Sequence, residues 1–262
     1  MNSTPRILII LFSMISILCG SLNNLHAQEY RDNEFEEEFL DDFADFGNST
    51  SKTKNNDPLE PLNRTIFVFN ETFDQYFFEH VARTYRLVIP RKARSSIGNF
   101  LDNLSKPLSL VNSIAQGKVN NSLSTLSSFL INSTIGIFGL FDVAKANGIK
   151  YEKEDFGQTL GYYGVKSGIY LVVPFTGPSS LRDFSGWIID SSINPTGLNY
   201  LKIGQKEDLL ANDTRISLSI MSAVDTREGL INVIDDLRKD SFDPYATMRS
   251  AYIQNRISKI KK

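Results

Sequence analysis

The sequence predicts a mainly α fold built from amphipathic helices, and three stretches predict it. In residues 57–78, DPLEPLNRTIFVFNETFDQYFF, the side chains Leu62, Ile66, Phe69, Phe73, Tyr76 and Phe77 recur at intervals of three and four. That spacing makes one apolar stripe on a helix. Val119 to Phe141 runs for 23 residues without a charge, yet ten of them are Ser, Thr or Asn. From Gln205 to Lys239, Leu209, Ile216, Ile220, Val224, Ile231 and Ile234 alternate with Lys, Asp, Arg and Glu, the pattern of long amphipathic C-terminal helices.

Charge and composition narrow the function classes. The 262 residues carry a formal net charge of -2, but unevenly. Residues 29–46 hold nine acids against Arg31, and residues 47–262 have a net charge of +5. A modestly basic body suits an anionic lipid surface as well as an indifferent soluble domain. The sequence has one cysteine, Cys19, and two histidines, His26 and His80. A Ser-His-Asp triad or a histidine metal site in the body would depend on His80 alone, so no catalytic residue, metal or cofactor is expected. Nothing in the sequence points to nucleic acid.

Residues 1–27 read as a secretory signal peptide. Arg6 supplies the positive start and Ile7 to Leu18 a short apolar run, with no stop-transfer pattern after it. Cleavage after Ala27 is one outcome and lipidation of Cys19 the other; Leu18, bulky, precedes that cysteine. Residues 28–56, acidic and then Ser/Thr/Asn/Lys-rich, should stay disordered, since like charges repel and little surface can be buried. Phe35, Phe39, Phe43 and Phe46 share helical spacing, which also fits a partner-docking helix. The folded body is then residues 57–258.

The first body helix starts after Asp57-Pro58, with Pro61 tolerated in its first turn. Phe67 and Phe78 lie off the stripe, among Arg64, Glu71, Asp74, Gln75 and Glu79. Thr84 to Ser95 reads as a loop, a basic collar of Arg83, Arg86, Arg91, Lys92 and Arg94 around Val88-Ile89-Pro90. At a bilayer Arg86, Arg91, Lys92 and Arg94 would face phosphates; in water the loop would be solvated. Lys106-Pro107 should break two short helices, Ser96 to Leu104 and Pro107 to Gly117. Along Val119 to Phe141, Val119, Leu123, Leu126, Leu130 and Ile137 share a face, while Asn121, Ser124, Thr125, Ser128 and Asn132 cluster away from it. Such a helix suits a wall between acyl chains and a wet lumen. The alternative is a buried helix whose hydroxyls bond their own backbone.

Gly157, Gly161, Gly164 and Gly168 form a small-residue ladder that permits close backbone approach. Ile169 to Phe175 is extended and ends at Pro174 and the Gly177-Pro178 turn. Ser179 and Ser180 cap a helix bearing Trp187, and Asp243-Pro244-Tyr245 starts the last one, which ends in Lys259, Lys261 and Lys262.

Three stretches in order, DPLEPLNRTIFVFNETFDQY, DFGQTLGYYGVKSGIYLVVPFTGPSSLRD and DPYATMRSAYIQNR, resemble the signatures of the MlaA/VacJ family of outer-membrane phospholipid-transport proteins. The resemblance covers roughly residues 57–256. It implies a ring-like helical fold lying in the inner leaflet of the outer membrane, at its periplasmic face, around an amphipathic channel. It also implies phospholipid as cargo, porin trimers as neighbours and a soluble periplasmic lipid carrier as recipient. A lumen lined by Asn121, Ser124, Ser128 and Asn132, with Asn63 and Asn70 from the opening helix, is then expected. The competing reading is an envelope interaction protein that binds porin or peptidoglycan partners and moves no lipid. A secreted hydrolase would need a GxSxG elbow or paired histidines, neither of which the sequence has.

Overall fold

The computed structural model describes residues 57–195, 197 and 212–261. The signal peptide, Cys19, the acidic tract and residues 205–211 of the C-terminal pattern lie outside the described residues.

The fold is mainly helical, as expected. The opening helix is α1 (Glu60–Phe73), and it passes through a π-helical turn, Asp74–Phe78, into α2 (Glu79–Val88). Ile89 is extended because Pro90 follows it, and this ends the run. The basic collar is therefore not a loop. Its first residues complete α2, and Arg91 begins α3 (Arg91–Ala115), with only Ile89-Pro90 between them.

Lys106-Pro107 does not break α3, which continues for 25 residues with Pro107 inside. The proline denies the Asn103 carbonyl its helical partner, a cost of about 3 kcal/mol. Packing overrides it: α3 lies against α4 (Val119–Thr134) along one side and also meets the helices of residues 156–162 and 212–229. Gly117, at φ +70, makes the turn between α3 and α4. The uncharged stretch is helical only to Thr134. From Ile135 it coils into a tight turn, because Gly136 and Gly139 sit where any Cβ would collide with Asn132, Phe141 or Asn103.

After α5 (Val143–Ala146), the side chain of Asp155 caps α6 (Phe156–Tyr162), accepting from Gln158 N. An antiparallel hairpin follows, β1 (Tyr170–Val173) with β2 (Gly177–Ser180), registered Tyr170 to Ser180 and Val173 to Gly177. Ser180 caps α7 (Leu181–Ile193) by accepting from Asp183 N. The glycine ladder is partly a packing device: a Cβ on Gly186 of α7 would lie 2.5 Å from Gly157 N on α6. Gly164 and Gly168 instead take positive φ in the following turns. The chain ends in α8 (Asn212–Gly229), α9 (Ile231–Asp240) and α10 (Pro244–Lys261).

What is buried is mostly polar. Among the described residues, twenty-three buried side chains are polar or charged and twelve are hydrophobic. Hydrophobic clusters are small: Ile97, Leu101 and Leu218 in one, Tyr170, Val172 and Tyr245 in another. Most of the opening stripe points the other way, with Leu62 54% and Tyr76 81% exposed, while Ile66 from the stripe and Phe67 off it pack on the hairpin cluster. On α4 the same inversion holds: Val119, Leu123, Leu126 and Leu130 face out, and Thr125, Ser128 and Asn132 are buried.

Candidate functional site

The inward face of this body is held by amides and ion pairs rather than by greasy packing. On α1, Asn63 and Asn70 stand two turns apart and both face β1. Asn63 Nδ2 donates to Tyr170 O at 3.0 Å and its Oδ1 accepts from Val172 N at 2.9 Å. It also donates to Asp57 Oδ1 at 3.1 Å. Asn70 repeats the motif one step along, donating to Val173 O at 3.0 Å and accepting from Phe175 N at 2.8 Å. The two side chains thus stand in for a missing third strand on the hairpin edge, satisfying backbone groups that would otherwise be stranded.

The α4 candidates meet different elements. Asn121 donates to Ser113 Oγ at 2.8 Å and to Glu152 O at 2.9 Å, and accepts from Glu152 N. Asn132 donates to Asp142 Oδ1 at 2.8 Å and accepts from Ala144 N at 2.9 Å. Ser128 is buried and Ser124 half-buried on the same face. The structure therefore gathers Asn121, Ser124, Ser128 and Asn132 on one side of α4, whereas Asn63 and Asn70 turn to the hairpin.

The basic candidates divide likewise. Arg86 Nε donates to the buried carboxylate of Glu228 at 2.6 Å, and Arg94 Nη1 donates to the same Glu228 oxygen. These two arginines are spent on an internal ion triad that ties α2 and α3 to α8. Arg91 is exposed and Lys92 half-buried in the first turn of α3, and each interacts with other groups of the protein.

Several interior charges have no local sequence signal. Asp74, at the start of the π turn, takes a two-point clasp from Arg227 at 2.7 and 2.8 Å and a further bond from Arg238 at 2.6 Å. Arg238 also reaches Glu71 and Glu79. Glu154 is buried and receives Gln116 Nε2 at 2.9 Å and Lys118 Nζ at 2.7 Å. Lys106, 1% exposed, lies over the Tyr151 ring with Asp102 at 3.5 Å. At the crossing of α6, α7 and α10, Arg256 clasps Asp155 at 2.6 and 2.9 Å and donates to Asp183. Burial works to raise the Asp183 carboxyl, but hydrogen bonds from Arg182 and Arg256 hold it at about 2. Asp190, chiefly through burial, is pushed up to about 6.

The arrangement is made of amides, hydroxyls and ion pairs bonded to one another. It can separate an apolar exterior from a polar interior. Among the described residues no helix is long and apolar enough to cross a membrane, and no cluster of His, Cys, Asp and Glu could hold a metal ion.

The family model described as MlaA lipoprotein matches residues 55–259. The intermembrane phospholipid transport system lipoprotein MlaA of Escherichia coli K12 is 33% identical over 209 residues, 78% of each chain. An uncharacterised protein of Rickettsia conorii is 33% identical over 246 residues, 94% of this chain and 91% of its own. A solved structure reported as the structural basis for maintenance of bacterial outer membrane lipid asymmetry superimposes with a TM-score of 0.65 at 33% identity, covering 79% of this chain and 100% of that one. The family-model match over residues 55–259, the one-third identity over most of the chain and the shared helical body place this chain in the MlaA family.

Proposed function

We propose that this chain moves phospholipid between membranes and so maintains the lipid asymmetry of the outer membrane, drawing phospholipid from the outer leaflet through an amphipathic channel. The observation that carries the proposal is the inverted polarity: leucines, isoleucines and phenylalanines outside, amides, hydroxyls and ion pairs inside. In water that distribution is unfavourable by about 25 cal/mol for each Å² of apolar surface left exposed. In a leaflet it is the stable one.

A phospholipid headgroup taken through hydrocarbon alone would meet a barrier on the order of that for a charged side chain, about 3 kcal/mol or more. A wall of Asn121, Ser124, Ser128 and Asn132, with Asn63 and Asn70 holding the hairpin, lowers that barrier without chemistry. Ser124, half-buried, can turn toward a headgroup. Asn63, Asn70, Asn121 and Asn132, bonded within the protein, keep the wall rigid. Arg91 and Lys92 lie where phosphate can be met at the rim. The body sits at the periplasmic face of the outer membrane beside porin trimers, hands lipid to a soluble periplasmic carrier, and is anchored through Cys19 or, if cut after Ala27, by its own apolar surface. No catalytic step is required.

The test is outer-leaflet phospholipid in cells lacking the chain, read with a membrane-impermeant amine reagent, and its reversal on re-expression. Surface labelling should rise on loss, and Ser124→Leu should restore it only in part at normal protein level. Labelling unchanged by loss of the chain would overturn the proposal in favour of an envelope protein that moves no lipid.

A further inference from the structure

Past the end of α4 the chain presents Ile135, Ile137 and Phe138 outward, 68%, 50% and 75% exposed. They continue the apolar face of Leu123, Leu126 and Leu130 beyond the helix. Two features set this turn apart from a water-facing loop. The first is its backbone. Ile137 and Phe138 take φ +52 and +57, where L-residues other than Gly, Asn and Asp are uncommon and a β-branched one is an outlier. A solvated turn would place Asn or Gly here; this one retains two bulky hydrocarbons at a conformational cost, so it is the side chains that the position requires.

The second is its hydrogen bonding. Every N–H from Ile135 to Phe141 donates within the protein. Ile135 and Gly136 donate to Ile131 O at 2.9 and 3.1 Å, Ile137 to Thr134 O at 3.4 Å and Phe138 to Ser133 O at 3.1 Å. Gly139 donates to Asn132 O at 2.7 Å, Leu140 to Ile137 O at 3.2 Å and Phe141 to Gly136 O at 3.0 Å. The hydroxyl of Thr134 also bonds back, to Leu130 O at 2.7 Å. Water needs no such completeness from an exposed loop. Hydrocarbon does, because an unsatisfied N–H there costs several kcal/mol. The charged residue nearest in sequence, Asp142, accepts from Asn132 Nδ2 and from Lys145 N.

We infer that residues 135–138 form a rigid wedge that inserts among lipid acyl chains, and that its occupant is hydrocarbon rather than a protein partner. The inference rests on the lipid-embedded reading proposed above and assigns a specific contact within it. The strained turn is preorganised, so the wedge enters without ordering on contact.

The test uses the full chain with Trp187→Phe, reconstituted into phosphatidylethanolamine and phosphatidylglycerol vesicles whose acyl chains are brominated. A single reporter is placed at Phe138→Trp, at Ile135→Trp, where the backbone is unstrained, or at Leu126→Trp as a flank control. Emission from positions 138 and 135 should be blue-shifted and quenched at least as strongly as that from 126. Quenching at 126 with none at 135 or 138 overturns the wedge and leaves the body in lipid, with solvent or protein over the turn. Quenching at none of the three overturns both the wedge and the lipid-embedded reading on which it rests.

Discussion

Asn63→Ala separates a residue that lines a lumen from one that braces the fold. In the structure the amide of Asn63 is 1% exposed and makes three directed bonds, to Asp57, Tyr170 O and Val172 N. Alanine strands the Tyr170 carbonyl and the Val172 N–H, both in the buried hairpin strand. Two buried unsatisfied backbone groups at roughly 1–3 kcal/mol each give an expected loss of about 2–6 kcal/mol. For a body of this size that lowers the melting temperature by about 10 °C. The assay is far-ultraviolet circular dichroism of detergent-purified protein during heating, with protein level in cells measured alongside outer-leaflet phospholipid. Asn63→Asp keeps the acceptor for Val172 but loses the donor and adds a second carboxylate beside Asp57. It should cost at least as much as alanine. If Asn63→Ala melts with the parent protein while transport falls, the brace argument is wrong and the side chain faces lipid.

Further outcomes follow from single contacts. Gly186→Ala drives a methyl to 2.5 Å from Gly157 N and 2.8 Å from its Cα, both backbone atoms, so α6 and α7 must separate. A loss of about 1–3 kcal/mol is expected from the same melt, and a melt matching the parent would refute the close crossing. For Asp190 the folded carboxyl is raised to about 6 from 3.8, so the folded state holds the proton more tightly and its stability falls as pH rises through that window. Asp190→Asn, which retains an acceptor for Phe156 N, should therefore melt higher than the parent at pH about 7.5, with the difference gone below about 4. Ile137→Asn relieves a left-handed residue and should raise the melting temperature in detergent by the equivalent of about 1 kcal/mol. Unchanged or lower stability would mean that the turn stores no strain.

The local grammar of the chain is legible in its sequence. Ser180 at its cap, Pro61 in the first turn of α1 and the charge-free run from Val119 each act within a few residues, and caps and prolines work at that range. The ordered signatures carried the family in the same way. The sequence also set the stripes of α1 and α4, but periodicity is blind to which side of a stripe meets protein. An amphipathic helix in a leaflet and one in water share the same 3.6-residue repeat. Tertiary structure decided the sign, turning Leu62 and Tyr76 outward and Asn63 and Asn132 inward. It also decided the long pairings that no local pattern contains, such as Asn63 with Tyr170 at 107 residues' separation and Arg86 with Glu228 at 142. Pro107 shows the same limit from the other side. Its local rule predicts a break, and the packing of α3 against its neighbours outweighs one lost hydrogen bond, because many weak contacts summed along a helix exceed what a single residue can veto.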